Sequence, residues 1–165
     1  MMFDSYLPRI NIFVKSIFFI ALFGLLLFSF FYAYVNYNIR QRISSGLTSA
    51  YAAQLLVREN ACMGRALNVG WISPESSDGI FISITEDTGV ITVRYGSDID
   101  GGGRTLTLVP VPFGSASLCT SSDVVDTTTR VVWMCGSANT ISHNSMLLEN
   151  KGTLSSKYTP LECRW

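Results

Sequence analysis

The chain has 165 residues, and its twelve basic residues balance twelve acidic ones to give zero formal charge. That balance offers no electrostatic ground for nucleic-acid binding, which draws on a basic surplus. Outside one long apolar stretch near the N-terminus, enough chain remains for a single domain of ordinary size.

In chain order, residues 1–15 form a short tail with Arg9 and Lys15 set against Asp4. Residues 16–35, SIFFIALFGLLLFSFFYAYV, carry no charge. At about 1.5 Å of rise per residue they are long enough for a transmembrane helix. A cleaved signal sequence is the competing reading, but its apolar core spans only about 7–15 residues and closes on small side chains. Phe30, Phe31, Tyr32 and Tyr34 occupy that end here, so retention is expected.

From Asn36 to Glu59 there is no proline, and Gly46 is the one breaker. Ile39, Ile43, Leu47, Ala50, Tyr51 and Leu55 recur at three- and four-residue steps, which predicts that the helix continues as an amphipathic segment. The period then changes. Ile80, Ile82 and Ile84 alternate with Phe81 and Ser83, a turn follows at Glu86–Gly89, and Ile91, Val93 and Tyr95 alternate with Thr92 and Arg94, which predicts a hairpin. Gly101–Gly103 separates it from a third strand starting at Thr105 and ended by Pro110 and Pro112, and a fourth runs over Val131–Cys135. The expected fold class is α+β: a long N-terminal helix, transmembrane and then amphipathic, packed on an antiparallel four-stranded sheet.

Cys62, Cys119, Cys135 and Cys163 all follow the span and are too scattered for metal or redox spacing. An even number on one side of a membrane suggests disulfides in an oxidising compartment. Arg40 and Arg42 nearly cancel the positive-inside bias of Arg9 and Lys15, so the cysteines decide orientation. Residues 1–15 are then a cytoplasmic tail, and 36–165 lie outside the cytoplasm.

No enzyme is expected. His143 is the single histidine and has no ligand-spaced partner. Asp98-Ile99-Asp100-Gly101 lacks the third acid and closing glutamate of a calcium loop and reads as a glycine-rich turn. No metal or cofactor site is expected. The Ser/Thr-rich stretch 115–129 is long for a strand connection, and its composition fits an exposed loop, a glycan-bearing surface or a partner site.

The segment Ala33–Arg40, AYVNYNIR, with Ser45-Gly46-Leu47 after it, is similar to the A-Y-x-D-Y-x-x-R and S-x-G-L of bacterial type IV pilins. Gly89–Val93, Leu106-Thr107-Leu108, Trp133-x-Cys135 and Lys157-Tyr158-x-Pro160-x-x-Cys163-Arg164 resemble the successive strands and closing loop of a pilin head. The resemblance implies a disulfide between Cys135 and Cys163 that closes a C-terminal loop, leaving Cys62 and Cys119 to each other. The chain-entropy model assigns the first bridge about 3 to 4 kcal/mol. Buried free thiols are the alternative for either pair.

The resemblance also implies a structural role. The chain would be a subunit, or an assembly-modulating accessory, of a type IV pilus, in the inner membrane with a periplasmic head. Its partners would be pilin subunits or assembly machinery, met through the N-terminal helix. The family's glycine–phenylalanine cleavage pair would fall at Ile10–Asn11 and is absent, and Lys15 stands where pilins carry a glutamate. Lys15 therefore reads either as a headgroup anchor or as a helix-pairing residue that meets the acid of a genuine pilin. Outside the family reading, the alternative is an anchored extracytoplasmic binding domain or adhesin.

Overall fold

The computed structural model describes residues 7–74, 79–96, 99, 101–112, 118, 131–142 and 144–164, with the side chains of 7–11 and 112 excepted. His143, Asp98, Asp100, Cys119 and nearly all of 115–129 lie outside the described residues. The chain divides into two compact units after Asn38.

Helix α1 runs Leu7–Cys62, 56 residues. Pro8 falls in its first turn, where a missing N–H has no helical partner to lose. In the first unit, every side chain from Ile12 to Val35 is exposed.

The second unit joins the rest of α1 to a sheet. Strands β1 (Phe81–Ile84), β2 (Ile91–Arg94), β3 (Thr105–Pro112) and β4 (Val131–Gly136) pair in sequence order, each antiparallel to the next. Alternation sends Ile82, Ile84, Ile91, Val93, Leu106 and Leu108 to one face, where they form a core with Ile43, Ala50, Ala53 and Val57 of α1. Val109 and Val90 join Leu147 of the short helix α2 (Ser145–Glu149) in a second cluster. Helix and sheet thus meet as expected.

Two expectations need correction. Tyr51 and Leu55 do not lie on the buried stripe; each is 65% exposed. Successive four-residue steps advance about 40° around a helix, so the path from Ile43 through Leu47 and Tyr51 to Leu55 walks off the buried face. The buried line runs instead through Ile43, Gly46, Ala50, Ala53, Val57 and Asn60, alternating steps of three and four. Nor does Pro110 end β3: it pairs with Trp133, and the strand runs on to Pro112, which pairs with Val131. The β2–β3 register stops at Ile91–Leu108, so both prolines stand beyond β2, where β3 has one neighbour and can spare N–H groups on the other side.

The end of α1 follows from Gly64, whose φ of 63° gives the left-handed turn that closes a helix. The Arg65 N–H donates to the Asn60 carbonyl at 2.9 Å, and the Gly64 N–H to that of Ala61 at 3.3 Å. Buried Asn60 donates to the carbonyls of Leu67 and Val69, which ties the next loop to the helix end. That loop protects the sheet edge. Ser73 Oγ accepts from the Ile82 N–H at 3.0 Å, and Trp71 Nε1 donates to the Ile82 carbonyl at 2.9 Å, so this residue of the edge strand β1 offers no free group to another chain.

The C-terminal segment returns along the sheet. The Leu154 N–H donates to the Thr105 carbonyl at 2.9 Å, and that of Ala138 to Leu154 at 3.0 Å. Cys135 is bonded to Cys163 across 28 residues, as expected. Cys62 is disulfide-bonded too; its expected partner, Cys119, lies outside the described residues.

Candidate functional site

Two surfaces stand out, one in each unit. In the first, α1 is long and apolar enough to cross a membrane. Its polar interruptions need no water: Ser29 Oγ donates to the Leu25 carbonyl and Asn36 Nδ2 to that of Tyr32, both at 2.8 Å. Such back-bonding satisfies a hydroxyl or amide where the surroundings cannot. Lys15 is exposed among Ile12, Val14, Phe18 and Phe19, and no carboxylate of the described residues pairs with it.

In the second unit a groove of about 520 Å³ runs along one flank of α1. Its walls include Leu47, Tyr51 and Gln54 of the helix, Trp133 of β4, and the Cys135–Cys163 bridge. The three- and four-residue steps of α1 place Leu47, Tyr51 and Gln54 on one side of the buried line, and the bridge holds the closing loop opposite them. Aromatic faces mixed with an amide and hydroxyls suit contact with another molecule. Among the described residues no group of three His, Cys, Asp or Glu side chains could hold a metal.

Among the described residues one titratable group is clearly displaced. Burial pushes the Tyr95 hydroxyl well above the ordinary tyrosine range of about 10. The hydroxyl donates to the Ile43 carbonyl at 3.1 Å, and a Cβ on Gly46 would lie 2.8 Å from the ring. This contact fixes the helix against the end of β2. Reasoning from sequence saw Gly46 as a breaker and Tyr95 as one more alternating residue. The pairing was detectable only as a glycine inside an otherwise strong helical pattern, which signals close approach.

Compared with protein-family models, curated proteins and solved structures, the chain matches none.

Proposed function

We propose that the chain is a membrane-anchored, type IV pilin-like protein, acting as a structural subunit or an assembly-modulating accessory of a type IV pilus. It sits in the inner membrane with residues 1–15 cytoplasmic and its head periplasmic. The observation that carries this reading is α1 itself. One helix exposes apolar side chains on all sides up to Val35 and, from Ile43, buries small and branched ones under a sheet whose closing loop is tied by Cys135–Cys163. An apolar helix that also belongs to a folded head suits lateral association with like helices. No chemical step is part of this function.

The absent cleavage pair at Ile10–Asn11 and the lysine at position 15 favour an accessory that meets genuine pilins over one that polymerises with itself. In that role Lys15 pairs with a partner's acid inside the membrane. Intact mass of the membrane-extracted protein tests the first point, since an accessory keeps residues 1–10. Membrane crosslinking to a coexpressed pilin tests the second: yield should fall modestly for Lys15→Gln and further for Lys15→Glu, where two carboxylates meet in low dielectric. Equal yields return Lys15 to headgroup anchoring. The groove beside Trp133 favours a second reading, an anchored binding domain or adhesin, which predicts no crosslink to any pilin.

A further inference from the structure

We propose that the groove beside Trp133 binds a proline-rich peptide segment in the polyproline II conformation. The inference names the occupant of that groove and rests on the head alone, with no part played by a filament or by the span. Its first support is a contrast between two indoles. Trp71 Nε1 donates to the Ile82 carbonyl at 2.9 Å, as a half-buried indole ordinarily does. Trp133 is half-buried as well and packs against the core, yet its indole N–H has no acceptor among the described residues. No buried side-chain nitrogen or oxygen of the described residues goes unpartnered, so this N–H opens to solvent. The Gln54 amide and the Tyr51 hydroxyl also hold no hydrogen bond among the described residues.

The shape and lining of the groove select the ligand. It follows α1 from Ser44 to Gln54, about 15 Å of helix rise, and encloses about 520 Å³. At about 3.1 Å per residue, that length takes about five residues of polyproline II. Its depth is apolar: Leu108, Cys135 and Cys163 are buried, and Leu47 and Pro160 are half-buried. Glu162 is the one charged residue of the lining, which disfavours an anionic ligand. Proline has no N–H, so a proline-rich segment brings rings to set against Tyr51, Trp133 and the apolar base, and mainly carbonyls to satisfy. An indole N–H only donates and a carbonyl only accepts, so the two match. A saccharide fits less well, because hydroxyls turned toward Leu47, Leu108 and the bridge would lose water without gaining a partner. The polyproline helix also exists before binding, which lowers the ordering cost.

The test is fluorescence anisotropy of fluorescein-labelled decaproline titrated with the full chain in phosphatidylcholine nanodiscs. Anisotropy should rise to saturation, and a labelled Gly-Ser decapeptide, which is flexible, should bind about tenfold more weakly. Trp133→Phe keeps a ring and loses the N–H, and should raise Kd about fivefold. Tyr51→Ala changes an exposed helix position and should raise it about tenfold. Phe81→Ala, exposed on β1 outside the groove, should leave Kd unchanged. Labelled chitotetraose in place of decaproline should give no rise. A flat decaproline titration, saturation by chitotetraose instead, or a Kd unmoved by Trp133→Phe or Tyr51→Ala would overturn the peptide site. Crosslinking to a coexpressed pilin is read separately, so the filament reading and the peptide site can each fail alone.

Discussion

The two stretches of α1 are both apolar, yet they use opposite kinds of side chain. Up to Val35 the helix carries Phe, Leu and Ile, and even Phe30 is 73% exposed. Beyond Asn38 the buried positions are Ile43, Gly46, Ala50, Ala53, Val57 and, at the helix end, Asn60, with Ile43, Ala50, Ala53 and Val57 fully covered. Lipid chains accommodate any shape, so bulk and hydrophobicity suffice where they are the surroundings. A sheet face is a fixed surface packed to crystal-like density, and a helix approaches it closely only on small or well-fitted side chains. Hydrophobicity therefore marks the stretch long and apolar enough to cross a membrane, whereas small or well-fitted side chains mark the face that meets the sheet.

The sharpest way to break this contrast is to charge two positions of the outer helix. Ile43→Asp places a carboxylate in the core and should destabilise the head by about 4 kcal/mol or more, enough to unfold it. Leu55→Asp, on the exposed side, should stay within about 0.5 kcal/mol. Thermal melts of the full chain in detergent read both, and similar losses would place Leu55 back under the sheet. Next in size is Cys135→Ser/Cys163→Ser, which should lower the head's stability by about 3 kcal/mol and leave helical content of the span unchanged. If both segments melt together, they are not independent units.

The two helix glycines sharpen the comparison further. A methyl on Gly24 meets nothing within 4 Å, so Gly24→Ala should gain up to about 1 kcal/mol of helix stability. At Gly46 the same gain opposes overpacking against Tyr95 and Val93, whose atoms would stand at 2.8 and 3.1 Å. The net result should be a loss of about 1 to 2 kcal/mol. Opposite signs for the same substitution in one helix would show that the first glycine faces open surroundings and the second a fixed protein surface.

These positions also show what was legible beforehand. Alternation at Ile80–Ile84 and Ile91–Tyr95 revealed the hairpin, because a period of two admits no other half-buried element, and the charge-free run 16–35 revealed a helical stretch long and apolar enough to cross a membrane. The face of the outer helix was misread because Tyr51 and Leu55 are bulky. Ala53 and Val57, which lie under the sheet, look unremarkable in a hydropathy pattern. The third strand was cut short since a proline's tolerance depends on where its neighbour strand stops, and β2 stops at Ile91 for reasons of register. For the candidate site, Cys135–Cys163 followed from the family resemblance, whereas the groove beside it depends on which flank of α1 faces the closing loop. That is tertiary information.

Tyr95 gives a modest loss at neutral pH and the most specific signature. Its hydroxyl spans the helix–sheet contact, so Tyr95→Phe removes the bond to the Ile43 carbonyl and should cost about 1 kcal/mol at pH 7. The pH dependence separates this from a general packing defect. Burial raises the pKa of folded Tyr95 above the unfolded value of about 10, so the folded state keeps a proton that the unfolded state releases. The hydroxyl's contribution is complete below about pH 10 and is lost as pH climbs from there toward the folded pKa. In that window this one group lowers stability by about 1.4 kcal/mol per pH unit, because the unfolded chain binds one proton fewer. Denaturant melts of parent and Tyr95→Phe at pH 7 and pH 10.5 isolate the term, since every other lysine and tyrosine is common to both. The gap between the two proteins should narrow on going to pH 10.5, and a constant gap would mean that Tyr95 is not sealed between α1 and β2.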